Sequence, residues 1–479
     1  MEAILSLVTY GLKHHWIHNP NQSLDKLLSL YKLDKIAFYE VNEPIEDTLE
    51  RLINEGYQRH LFEPNTTAER DAFEAYLFDF IMPTPNETKM TFLRLYQHQP
   101  RKAFDYLYEL SKDVNYIKEK RNQQNIHFNY PSTYGDIQLT INLSKPEKDP
   151  KDIAKALEQK DLPKTGPKCL ICKENEHNYN NARMNLRIVP ITLHKRLWHF
   201  QYSPYAYYPE HCIILSDSHV PMRMCHETFH YLLDFVDYMP EYFIGSNADI
   251  PIVGGSILDH DHFQGGKHHF PIEDSTTIKE FHLGDLTLKH LYWPLSTIRL
   301  ESENRDLILS MSKRILTKWS TYDNEPLGIL SKSYGLHNTI TPIARKMDHI
   351  YQMDIILRNN RVDSTYPEGI FHPHRDVQHI KKENIGLIEA MGLAILPGRL
   401  KNELSKGLDY ILTGTTYNEL LVHQSWLDDL KSKNIIHSMT DIELAVGEKF
   451  KIVLEHAGVF KQNPQGIQAM DEFIRSCIK

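Results

Sequence analysis

The stretch Gly254-Gly255-Ser256-Ile257-Leu258-Asp259-His260-Asp261-His262-Phe263-Gln264-Gly265-Gly266 constrains this chain more than any other. His260, His262 and Gln264 recur at every second position. A period of two belongs to a β-strand, so the spacing predicts a strand that presents imidazole, imidazole and carboxamide on one face. The glycine pairs on either side let backbone approach a ligand closely and offer N–H groups to phosphate. Neutral imidazole is abundant at pH 7 and attacks phosphorus without first losing a proton. Gln264 is neutral and is no acid. A leaving group that is already a stable phosphate needs no protonation, and a neutral donor to the phosphoryl oxygen suffices. The segment therefore points to phosphoryl-type transfer with a histidine nucleophile. A solvated histidine-rich strand is the competing reading in a chain with 27 histidines. The glutamine and the two glycine pairs weigh against it.

The rest of the chain narrows the setting. With 479 residues it is too long for one hydrophobic core, and two or three domains are expected. The net charge of −9, with both signs interspersed, leaves no basic footprint for a nucleic-acid partner. The N-terminus has Glu2 and no basic leader, so it does not read as a signal peptide. No apolar run reaches membrane-spanning length. Five scattered cysteines do not suggest a disulfide framework. A cytoplasmic location is expected, with no membrane partner and no organic cofactor.

Residues 1–120 read as a helical accessory region. Phe73, Tyr76, Leu77 and Phe80, then Phe104, Leu107 and Leu110, recur at helical spacing, punctuated by Pro83 and Pro85. Residues 121–168 read as strand and linker: Asp136–Asn142 alternates, Lys145–Lys151 is a charged loop and Lys164–Lys168 a turn-rich connector. Residues 169–271 form a strand-rich half with the histidine segment. It holds a strand at Cys212–Leu215, an amphipathic helix at His226–Tyr238 and a strand starting at Tyr242. Residues 272–479 form a second mixed half. Ile355–Leu357 reads as strand, Ile385–Leu396 as a helix or buried segment, and Asp441–Lys479 as helical.

Beyond the histidine segment, Pro251–Leu258, Phe200–Tyr205, Glu210–Ile213, Tyr242–Ala248, Lys381–Glu389 and Thr140–Pro150 together resemble the galactose-1-phosphate uridylyltransferase family, in its second, bacterial type. That resemblance implies an α/β (α+β) fold of the histidine-triad superfamily. Two histidine-triad-like halves with antiparallel-rich sheets would follow the N-terminal helical region. It also implies a ping-pong nucleotidyltransferase of galactose metabolism (the Leloir pathway). UDP-glucose gives UMP to the enzyme and releases glucose 1-phosphate; galactose 1-phosphate then leaves as UDP-galactose. By the motif His262 is the nucleophile and Gln264 bonds the transferred phosphoryl group. Asp261 replaces the proline of first-type relatives, as in the second type. A homodimer is also implied.

The resemblance extends to a structural zinc on Cys169, Cys172 and His260; the relatives' further histidine falls near Ala206 or Tyr207, neither of which suits a metal, and His211 or His219 could substitute. The Cys-x-x-Cys spacing suits zinc, and two ordinary buried thiols are the alternative. A second metal site of some relatives is not expected, because Asp354, Ile355 and Ile356 occupy its stretch. Asn180, Asn181 and Arg183 lie where relatives hold uridine, and amides and guanidinium suit uracil edges and phosphate. Asn247 and Ser256 are candidates for the nucleotide, and Lys382 or Lys381 for the sugar phosphate, with Arg399 weaker. The literal His-Pro-His of Phe371–His374 lacks both the glycine pair and the glutamine, and reads as a turn with exposed histidines. Three other functions compete: a histidine-triad nucleotide hydrolase or adenylyltransferase, a metal-dependent hydrolase, and a zinc-based interaction module.

Overall fold

The computed structural model describes residues 1–63, 66–144, 166–255 and 257–479. Ser256, the side chain of Asn181, the charged run Lys145–Lys151 and the first two residues of the connector, Lys164 and Thr165, lie outside the described residues. The chain forms two compact units: Met1–Lys120 with Pro146–Ile191 and Leu197–Ala206, and Arg121–Lys145 with Thr192–Arg196 and Tyr207–Lys479. The fold is mixed α/β, with antiparallel pairing dominant, as expected.

In the first unit, helices α1 (Glu2–Lys13), α2 (Pro20–Leu30), α3 (Ile45–Gln58), α4 (Thr67–Asp79), α5 (Pro85–His98) and α6 (Pro100–Asp113) account for the helical periodicity. Local chemistry sets their starts. Pro85 and Pro100 open α5 and α6, where a missing N–H costs nothing, and Thr84 and Glu87 cap α5 reciprocally. Phe73, Leu77, Phe104 and Leu107 are buried. The segment that follows the cysteine pair is tied to these helices. Arg187, itself buried, donates to the carbonyls of Pro83 (2.9 Å), Met184 and Leu186, and the Asn185 amide donates to Val114 O at 2.8 Å.

The second unit is built on strands. In chain order they are β1 (Ile126–Ser132), β2 (Gly135–Asn142), β3 (Cys212–Ser216), β4 (Phe243–Gly245), β5 (His262–Gly266), β6 (Thr277–Leu283), β7 (Leu286–Leu291), β8 (Thr297–Ser302), β9 (Asn338–Met347), β10 (Ile350–Asn359) and β11 (Leu393–Pro397). In the large sheet the order runs β3-β5-β4-β9-β10-β8-β7-β6. The strand of the histidine segment thus lies between β3 and β4, paired on both edges: Leu215 faces His262, Ile213 faces Gln264, and Gly245 faces Gln264 from the other side. Such a strand cannot shift register without breaking two ladders. Helix α7 (His226–Tyr238) covers β9 and β4, burying Phe229, Leu232, Leu233 and Val236 as its periodicity predicts. Helix α8 (Arg305–Trp319) packs beside it. Helices α9 (Leu400–Thr413), α10 (Gln424–Lys433), α11 (Met439–Ala457) and α12 (Pro464–Ile478) form the C-terminal part.

Two expectations are refined. The strand starts at His262, and His260 precedes it. Ile385–Leu396 is neither one helix nor one strand: a short helix at Leu387–Ala390 ends before Gly392, and β11 then runs parallel to β2. Gly392 sits at φ +99°, which a side chain would resist, so the chain turns there.

Beneath the sheet lies a charged knot. Asp354, fully buried, accepts from Arg299 Nε (2.7 Å) and Nη2 (2.9 Å) and from Arg345 Nη1 (2.7 Å). Burial alone would push this carboxyl up. The two guanidinium groups, Arg299 foremost, outweigh burial and hold it below the ordinary carboxylate range. Because the folded value is depressed, the resulting stability is present above the ordinary value of 3.8 and is lost as pH falls through the folded one. Asp354→Asn keeps the shape but strands two buried cations. It should lower unfolding free energy in urea by about 3–5 kcal/mol and weaken the acid dependence below pH 4. A loss under about 1 kcal/mol would show that the knot contributes little.

Candidate active site

His262 is buried at 6 % exposure on β5. Its Nδ1–H donates to the carbonyl of His260 at 2.7 Å. A neutral imidazole has one proton, so this bond leaves Nε2 as the lone-pair nitrogen. Burial is the main cause that lowers the basicity of the ring, which is neutral near pH 7. Gln264 follows two residues on and shares the strand face. Its Oε1 accepts from Nε2 of His211 at 3.2 Å. His211 is buried just ahead of β3, with its ring between those of Tyr207 and Tyr208 at 5.3 and 4.6 Å. Burial pushes it down to about 4, so it too is neutral. Asp261, between the two imidazoles, is pushed up to about 7 by burial and by Asp249.

The loop before the strand packs tightly. A Cβ on Gly255 would stand 2.7 Å from Nδ2 of Asn247, so only glycine fits against that amide. Asn247 in turn accepts from the Leu387 N–H at 2.8 Å. The Asn384 amide donates to Gly254 O at 3.1 Å, which draws the Lys381–Glu389 segment to the glycine loop. Of the two lysines in that segment, Lys381 is buried and holds Glu389 at 2.9 Å, whereas Lys382 is exposed. Arg399 pairs with Glu403.

The His-Pro-His turn departs from expectation, because its histidines are not exposed. His372 is buried and donates from Nδ1 to Pro373 O at 3.1 Å. His374 stacks between Tyr366 and His456, with ring centroids 4.1 and 4.0 Å away, and donates to Ile370 O. Packing its ring faces against aromatic neighbours explains why His374 leaves solvent in part.

In the first unit Asn180 is exposed on a 3₁₀ turn (Tyr179–Asn181), where its N–H donates to Asn178 Oδ1 at 3.1 Å. Arg183 bonds the Tyr116 hydroxyl, with its guanidinium carbon 5.5 Å from that ring.

Among the described residues, His374, Asp376 and His456 form a group that could hold a metal ion, with ligand atoms within 4.8 Å of one another. In the first unit Cys169 and Cys172 offer two thiols, and in the second His219 and His260 stand with ring centroids 4.7 Å apart. The thiol sulfurs stand 3.4 Å apart, and the Asn175 amide donates to the carbonyls of both cysteines, which fixes the loop. His260 donates from Nε2 to Ser216 O at 3.1 Å, so its ligating nitrogen is Nδ1. Of the two histidines left open for the fourth place, His219 stands beside His260 and His211 turns to Gln264 instead. The sequence flags His211 only as an alternative metal ligand. Its contact with Gln264 depends on the pairing of β3 with β5, which no local signal encodes.

The profile of the galactose-1-phosphate uridyl transferase N-terminal domain matches residues 15–221, and that of its C-terminal domain matches residues 235–428. Curated relatives named galactose-1-phosphate uridylyltransferase include one from Clostridium acetobutylicum, 44% identical over 98% of each chain. Another, from Clostridium perfringens, is 46% identical over 94% of this chain and 93% of its own. A third, from Staphylococcus saprophyticus, is 45% identical over 89% and 87%.

Proposed function

The chain belongs to the galactose-1-phosphate uridylyltransferase family, and from that premise we propose that it moves UMP from UDP-glucose to galactose 1-phosphate by a ping-pong route through His262. The observation that carries this reading is the 2.7 Å bond from His262 Nδ1 to the His260 carbonyl. It leaves Nε2 free of a proton and stabilises the positive charge that the ring acquires on attack. Nε2 bonds to the α-phosphorus of UDP-glucose while the bond from that phosphorus to the bridging oxygen breaks. Glucose 1-phosphate departs with the electron pair and needs no proton. In the second half a phosphate oxygen of galactose 1-phosphate attacks the same phosphorus, the N–P bond breaks, and the imidazole regains its lone pair.

Gln264 supplies an amide N–H to a non-bridging oxygen of the transferred group. Asn247, through the glycine loop, and the exposed Lys382 are the polar groups of the second unit that suit nucleotide and sugar phosphate. Asn180, Asn181 and Arg183 suit uracil and phosphate. Ser256 is proposed for the phosphate on its place in the motif alone.

Zinc is the metal that two thiolates and two imidazoles favour, so Cys169, Cys172, His219 and His260 would hold a structural zinc. Without a cation, burial pushes the Cys169 thiol up to about 11. The ion would act on the fold rather than on the substrate, since it fixes the backbone of His260, whose carbonyl holds the nucleophile.

His262→Ala should cut exchange on the order of a million-fold and leave no acid-labile UMP adduct after incubation with UDP-glucose alone. His262→Gly should regain part of the rate with added imidazole. An adduct mapped to another side chain would refute the assignment. Cys169→Ser should release zinc and lower the melting temperature by several degrees, with a smaller effect on the uridylylation rate. Unchanged metal content together with unchanged melting would remove the zinc.

A further inference from the structure

We propose that His211 is a positioning residue for uridylyl transfer: its Nε2–H clamps the carboxamide oxygen of Gln264, so that the amide N–H₂ is turned toward the phosphoryl group. The inference rests on the reading above, in which Gln264 donates to that group.

A glutamine amide has an acceptor end and a donor end. Close to a phosphoryl anion only the donor end helps; the carbonyl end would repel the phosphoryl oxygens. Rotation of the terminal amide by half a turn is easy unless a neighbour distinguishes the two ends. Here the neighbour is His211, whose Nε2 lies 3.2 Å from Oε1. A carbonyl oxygen can only accept, so Nε2 must carry the proton. The other ring nitrogen, Nδ1, is buried with no hydrogen-bond partner among the described residues. A proton on Nδ1 would therefore bury an unmatched donor and lose the bond to Gln264 as well. A proton on Nε2 makes the bond and leaves only a lone pair unmatched. The ring is neutral, so it has one proton to place, and the tautomer follows.

Its position is rigid as well. Ile213 and Gln264 face each other in the β3–β5 ladder, and His211 lies two residues before Ile213. Tyr207 and Tyr208 hold the plane of the ring. His211 stands outside the group of candidate zinc ligands, so its role is separate from the metal. An imidazole that is buried, neutral and half unsatisfied is poor material for a core. Its one bond, to a residue of the reacting face, explains its presence.

The test is a double-mutant cycle on the full chain, with single-turnover transfer from UDP-glucose followed by rapid quench. His211→Phe keeps the ring and its aromatic contacts but removes the donor. It should slow uridylylation by about tenfold to a hundredfold, with little change in KM for UDP-glucose or in melting. His211→Gln, which carries an amide N–H to similar reach, should restore most of the rate. In a Gln264→Ala background His211→Phe should cost nothing more. A wild-type rate for His211→Phe overturns the clamp, and so do losses that multiply in the double variant. If His211→Phe does not fold, His211→Asn replaces it: its amide stops short of Oε1, so the same loss is expected, and a wild-type rate overturns the proposal. A wild-type rate for Gln264→Ala would instead remove the role of Gln264 itself, and the clamp with it. The two failures are thus distinguishable.

Discussion

The hydrogen bond from His262 Nδ1 to the carbonyl two residues earlier is the interaction on which the site depends. On the proposed reading it makes His262, a type of residue that elsewhere is a surface base, a directed nucleophile. The bond needs three conditions at once. The ring must be neutral, which burial ensures. The backbone at His260 must not move, and the His260 side chain anchors it by donating to Ser216 O. The strand that follows must hold its register, and pairing on both edges supplies that. Each condition is ordinary, but only together do they leave Nε2 of this one ring with its lone pair.

The sheet makes this possible because its own charges are settled elsewhere. Asp354, Arg299 and Arg345 satisfy one another in the interior of β8, β9 and β10, away from the reacting strand. A buried ion triad is costly to assemble and costly to break, so it fixes how those strands align more than it adds net stability. β9 also pairs with β4, which pairs with β5. The alignment of the far strands therefore passes through two ladders to the strand that holds His262.

Much of this was legible in the sequence, and the rest was hidden for physical reasons. Helix α7 was readable to its last residue because its apolar stripe at 229, 232, 233 and 236 depends on local periodicity alone. His262 and Gln264 were readable because a two-residue period can only mean a shared strand face. Ile385–Leu396 was ambiguous because a uniformly buried run has no polar face to reveal its period, and only Gly392 marks the break. The histidines of the Phe371–His374 turn misled in the other direction. A turn-like sequence suggested solvent, whereas His372 is buried and His374 stacks on Tyr366 and His456, contacts that only the tertiary fold decides. His211 was hidden for the same reason as most cross-strand contacts: its partner lies 53 residues away, and the register between them is set by two strands rather than by either one.

The electrostatic character of the site follows from these same residues. In the proposed site His262, Gln264 and His211 are all neutral. Their substrates are anionic, and a cation placed there would bind them more tightly. Such binding would be felt equally by the nucleotide sugar, the uridylylated enzyme and the transition state between them, and uniform binding of that kind does not speed the chemical step. In the proposed ping-pong reaction, whose two halves are nearly mirror images, a deep well at the intermediate would slow both directions. A neutral amide whose donor end is fixed in advance avoids that well. It strengthens as charge shifts onto the phosphoryl oxygens and weakens again when the group leaves. On this argument the neutrality of the glutamine matters as much as the nucleophilicity of the histidine.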